Sequence, residues 1–258
     1  MVPTSDDELG ALAASSELRA HDEEVHAMAM FALIHGAGDV GWYWHLVDAE
    51  LRRRGHDVVA PDLPCDDDAA GLDDYAGTVL DAINGRSNLV VVGQSYGGFT
   101  APLVAARIPA DVLVLVAGMV PAPGESPAEW WKNTGHGDAV RVQARRDGGR
   151  TGSDDPFVAF YHDVPRPLAE AALTKERGES EAAYNAPWPL DAWPDVPTRF
   201  VLCTEDRVFP AEFMRRVVAD RLAITPDEIV SGHCVALSQP ERLAALLDGY
   251  TLPDGRRR

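Results

Sequence analysis

The sequence predicts an α/β fold with a mostly parallel central sheet and helices on both faces. Three observations carry that prediction. Strand and helix signals alternate at short intervals from Phe31 onward, the pattern of a sheet whose strands are joined by helices. The strand-like runs are apolar without alternation, as in 89–92 and 112–116, which is what burial of both sheet faces requires. Residues 89–100, LVVVGQSYGGFT, read as strand, sharp turn and helix, the helix marked by Ala101, Ala105 and Ala106.

Taken in order, residues 1–27 are polar, acidic and without periodicity, and are expected to be a flexible tail, with Met28 or Met30 as an alternative natural start. Residues 31–34 form an apolar strand that ends in His35-Gly36-Ala37-Gly38. Trp44, Val47 and Leu51 follow at helical spacing, and Gly55 stands where a helix C-terminus is capped. Residues 57–60 make a strand stopped by Pro61, and the three aspartates 66–68 read as a solvated turn. Leu72, Tyr75, Val79 and Ile83 supply the next helical stripe before the central strand and the strand at 112–116.

The rhythm then breaks. Residues 120–195 are rich in proline and aromatic residues, with one clear helical patch at 167–177. So long an interruption between sheet strands is usually functional, and this one is expected to form a cap over the carboxyl ends of the strands. Its tryptophans either line an apolar pocket, with Trp130, Trp131 and Trp188 the candidates, or form the cap's own small core. The rhythm resumes with a strand at 200–203, a helix stripe of Phe213, Val217 and Leu222, and a short strand near Ile229. Ser238 with Glu241 reads as a capping box for a last helix that buries Leu243, Leu246, Leu247 and Tyr250. The expected division is a core of 28–119 and 196–252, the cap between, and a tail at 253–258.

The 258 residues fit one such domain. Their 41 acidic against 23 basic side chains give a formal charge of -18, which disfavours nucleic acid and anionic membrane surfaces as partners. The chain has no run of membrane-spanning length and no secretion signal, so a cytoplasmic protein is expected. Cys65, Cys203 and Cys234 lack metal-ligand spacing and read as reduced thiols, and no metal or cofactor is expected. Composition leaves the oligomeric state open.

A serine on so tight a turn presents its hydroxyl at the head of a helix, and glycines on either side leave it room. To attack a carbonyl, the hydroxyl needs a base, and the base needs an acid to hold its tautomer. In an open α/β sheet, each partner should directly follow a strand. Ser95, Asp206 and His233 meet that requirement in this order. Glu205 is the rival of Asp206, since both end the same strand; consecutive side chains there point oppositely, so one can reach the histidine and the other should not, and Asp206 is the favoured acid. Among the eight histidines, His21, His26, His45, His56 and His162 read as surface or satisfied core residues, and His35 as a brace for its loop. The backbone amides of Ala37 and Tyr96 are the expected oxyanion donors.

From Phe31 to Leu247 the chain resembles the α/β-hydrolase superfamily, and within it the branch of plant methylesterases, hydroxynitrile lyases and related bacterial esterases. The resemblance rests on HGAG with Gly41-Trp42-Tyr43-Trp44 close behind, Pro61-Asp62-Leu63, GQSYGG, the segment Glu205 to Pro210, and SGHCVALSQPERLA. It implies a serine esterase that acts through an acyl-enzyme on Ser95, on small esters with an apolar or aromatic part. The plant lyases carry a lysine after the histidine and a threonine in the first loop, where this chain has Cys234 and Gly36, so lyase chemistry ranks below ester hydrolysis. Haloalkane dehalogenases and epoxide hydrolases, which share the fold, have an aspartate where Ser95 stands. A binding protein built on the same scaffold, without turnover, is the reading from a different class.

Overall fold

The computed structural model describes residues 28–251; the tails expected at 1–27 and 253–258 lie outside the described residues. Six strands form one sheet in the order β2-β1-β3-β4-β5-β6, and every pairing is parallel. They are β1 (Met30–Ile34), β2 (Asp57–Val59), β3 (Leu89–Gln94), β4 (Val112–Val116), β5 (Thr198–Cys203) and β6 (Asp227–Ile229).

Period-2 geometry divides β1 between two cores. Met30, Ala32 and Ile34 face one side, where they join α2 (Leu72–Ile83), α3 (Gly97–Arg107) and α9 (Ala211–Leu222). Phe31 and Leu33 face the other, with α1 (His45–Arg53) and α11 (Pro240–Gly249). The stripe Leu72, Tyr75, Val79 and Ile83 is buried as its spacing predicts, and Asn84 and Gly85 end that helix with positive φ. A 3-10 turn, Gly41–Trp44, precedes α1.

Two local expectations are corrected. Ser238 does not cap the last helix; its hydroxyl sits 2.8 Å from that of Ser231 and closes the short α10 (Val235–Ser238). α11 instead starts on Pro240, whose fixed φ and missing N–H suit the first helical turn. The segment 120–195 holds five helices rather than one: α4 (Pro127–Asn133), α5 (His136–Asp147), α6 (Pro156–Ala159), α7 (Arg166–Leu173) and α8 (Glu181–Asn185). Several are too short for a hydrophobic period to show, and α5 buries no residue at all, so its sequence carries no stripe. Among the described residues, no helix is long and apolar enough to cross a membrane, and the three cysteines are free and buried.

Candidate active site

Register decides what meets at the carboxyl edge of the sheet. Ile34 pairs with Gly93, so the loop 35–38 leaves β1 beside the turn that follows β3. Ser95 heads that turn at φ +50, a left-handed conformation that a non-glycine residue adopts only when its surroundings hold it there. The flanking glycines are a steric necessity. A Cβ at Gly93 would lie 2.6 Å from the Gly97 carbonyl oxygen, and one at Gly97 would lie 2.8 Å from that of His35. His35 braces the loop as expected. Its Nε2 accepts the Leu63 amide at 3.0 Å, Nδ1 donates to the Gly36 carbonyl at 2.9 Å, and burial lowers its pKa, which keeps the ring in this neutral form.

β5 and β6 deliver the second half of the site. Their parallel pairing continues past the strands through Thr204 N–H to the Ile229 carbonyl and Glu205 N–H to the Ser231 carbonyl. Asp206 and His233, the next side chains along, thereby come together: Nδ1 of His233 donates to Oδ2 of Asp206 at 2.7 Å. Oδ1 of Asp206 accepts the amides of Val208 and Phe209 at 2.7 and 2.9 Å, which fixes the carboxylate. Both residues are buried, and the rings of Phe209 and Phe160 stand edge-on to the imidazole at 5.2 and 5.6 Å. Glu205 is exposed, and its carbonyl receives His162 Nε2 at 3.1 Å.

Ser95 and His233 share the wall of a cavity of about 510 Å³. In this structure, Nε2 of His233 faces the side-chain nitrogen of Gln94 at 3.3 Å, and the Ser95 hydroxyl forms no hydrogen bond with it. With Nδ1 protonated, Nε2 is the acceptor of that contact. Ala37 and Tyr96 also line the cavity, and neither amide donates to a protein acceptor among the described residues.

Of the three tryptophans expected at the pocket, Trp131 lines the cavity and the other two do not. Trp130 is fully buried among Phe209, Phe213 and His136, with its indole N–H on the Val120 carbonyl at 3.0 Å. Trp188 is buried against Trp193, with its N–H on the Phe99 carbonyl at 3.1 Å. A buried indole needs an acceptor, and these two found theirs in the backbone, at Val120 and Phe99. The sequence reading also missed lining residues: Gln94, Asp39, Phe160 and Glu176. Gln94 had a signal, a polar residue that ends an otherwise apolar strand; Phe160 and Glu176 had none, because the path of 120–195 decides what they face.

A profile described as "Alpha/beta hydrolase family" matches residues 31–246. Methylesterase 7 of Arabidopsis thaliana is 26% identical over 249 residues, covering 84% of this chain and 94% of its own length. Norfluorocurarine synthase 1 of Strychnos nux-vomica is 26% identical over 257 residues, covering 84% and 93%. Among solved structures, polyneuridine aldehyde esterase superposes with a TM-score of 0.70 at 21% identity, covering 85% of this chain and 98% of that one. A pyrethroid hydrolase from Sphingobium faniae gives 0.69 at 21% identity, covering 88% and 99%. These likenesses span nearly the whole of each relative, and the profile spans strands β1 through β6 with their connecting helices: the chain belongs to the alpha/beta hydrolase family.

Proposed function

We propose that this protein hydrolyses carboxylic esters of small molecules with an apolar part, through an acyl-enzyme on Ser95. The observation that supports this reading best is the pairing of His233 with Asp206 at 2.7 Å on the wall of the cavity that Ser95 also lines. Substrate entering the cavity displaces the Gln94 amide from Nε2 of His233. That nitrogen takes the Ser95 proton as Oγ bonds to the carbonyl carbon, and Asp206 holds the resulting imidazolium. The oxyanion draws the amides of Ala37 and Tyr96. Collapse breaks the bond to the alcohol oxygen, which leaves with the proton from His233. Water then repeats the sequence on the acyl group and frees the acid and Ser95. The lyase alternative lacks support at Cys234, whose buried thiol is pushed well above its ordinary pKa and supplies no cation.

The test is hydrolysis of p-nitrophenyl esters of increasing chain length by wild type and Ser95→Ala in parallel. Loss of about 10³-fold or more in kcat/KM supports the mechanism, and retained turnover in the variant overturns it. A binding role without turnover has one observation in its favour, the occupation of His233 Nε2 by Gln94. Failure of a fluorophosphonate to label Ser95 would favour that role.

A further inference from the structure

The Ala37 amide is held from two directions, and only one of them is near it in the chain. Gly36 and Ala37 share a peptide unit, and His35 Nδ1 grips its carbonyl end at 2.9 Å. Beyond Ala37 the backbone passes through Gly38 at φ +71, a conformation that glycine can enter and leave at little cost. What holds that side comes from 120–195. Arg177 N–H donates to the Gly38 carbonyl at 2.9 Å. The Arg177 side chain also reaches the far end of the loop. Its guanidinium lies 2.8 Å from one oxygen of Asp62, whose other oxygen accepts the Gly41 N–H at 2.8 Å.

The residues after Arg177 are tied down in turn. Glu179 accepts the Tyr75 hydroxyl of α2 at 2.8 Å, and the Gly38 amide faces the same carboxylate. Ser180, fully buried, donates to the Ala70 carbonyl at 2.6 Å, and the Ala182 N–H meets that of Asp68 at 3.2 Å. The segment 177–182 is thus stitched to the chain between β2 and α2, and from that footing it holds the loop after β1 at Gly38 and Gly41. An oxyanion donor works only at hydrogen-bond range. A loop that drifts by about 1 Å therefore loses transition-state stabilisation while substrate still binds.

We propose that Arg177 and Glu179 are positioning residues, which fix the loop after β1 so that the Ala37 amide stays where the oxyanion forms. The catalytic part rests on the ester-hydrolysis reading, but the restraint on the loop does not. Two measurements test it on wild type, Arg177→Ala, Glu179→Ala, Arg177→Lys and Glu179→Gln, with thermal unfolding confirming that each protein is folded. Hydrogen exchange read by mass spectrometry follows peptides that cover 35–41 and, for comparison, 231–238. Each alanine variant exchanges about tenfold faster over 35–41 and like wild type over 231–238, because only the first loop loses a tie. Lysine keeps a cation for Asp62 and glutamine keeps an oxygen for Tyr75, so both conservative variants exchange like wild type. On p-nitrophenyl butyrate, kcat falls about 10–100-fold in the alanine variants with KM within about threefold, and the conservative variants recover most of the loss.

Unchanged exchange over 35–41 in either alanine variant overturns the inference. So does faster exchange with kcat unchanged, and so does a loss of kcat that the conservative variants fail to recover. Exchange that depends on Arg177 and Glu179 in a protein that turns over no ester upholds the restraint and sinks the esterase reading. Turnover by wild type, with exchange unmoved in the alanine variants, does the reverse.

Discussion

The carboxylate of Asp206 lies 2.7 Å from Nδ1 of His233, while Glu205, one residue earlier on the same strand end, points to solvent. The two acids are chemically equivalent, so only geometry separates them. Asp206→Asn should lower kcat about 10³–10⁴-fold, because an amide in that position favours the wrong imidazole tautomer. Glu205→Gln should leave kcat within about twofold, in line with its exposed place. Steady-state kinetics on one ester decides, and the reverse ranking would reassign the acid.

Asp163 positions the loop that carries His233. Its Oδ2 accepts Gly232 N–H at 2.7 Å and the Ser231 hydroxyl at 3.0 Å, and a side chain at Gly232 would run into Asp163 and His162. Asp163→Ala releases both bonds. The expected result is a fall in kcat of about 10–100-fold with a smaller change in KM, since a slightly displaced base loses transition-state geometry before it loses binding. Asp163→Asn, which keeps an acceptor oxygen, should restore most of the loss. Equal kcat for all three proteins would show that the loop holds itself.

Asp39 and Glu179 make stability depend on pH in an unusual sense. Burial raises both carboxyls to about 7, above the values they take in an unfolded chain. A raised folded-state pKa means that the folded form holds the proton more tightly, so the penalty is absent in acid. It accumulates as pH rises from about 4 and is complete above about 7. Asp39→Asn removes that penalty at its site. Its Tm should exceed that of wild type by roughly 3 °C at about pH 8 and converge with it near pH 4. Parallel Tm curves for the two proteins across that range would contradict this account of Asp39.

The sequence by itself determined the strands, the helices that cross between them and the order in which Ser95, Asp206 and His233 leave the sheet. Those features rest on local signals: apolar runs, 3.6-residue stripes, and glycines without which the Ser95 turn would clash. β5 ends at Cys203, so strand alternation does not choose between Glu205 and Asp206; the turn that follows leaves Glu205 exposed and buries Asp206 against His233. Tertiary structure alone decided how 120–195 packs. Trp130, Trp131 and Trp188 look alike in sequence, yet two went to backbone acceptors at Val120 and Phe99 and one went to the cavity. It also decided that Glu176, from 120–195, lines the same cavity as Asp39, from the loop after β1, and that Gln94 occupies His233 Nε2. Such contacts join segments far apart in the chain, so no local period or propensity encodes them. They arise when packing brings one surface against another and each buried polar group takes whichever partner is then in reach.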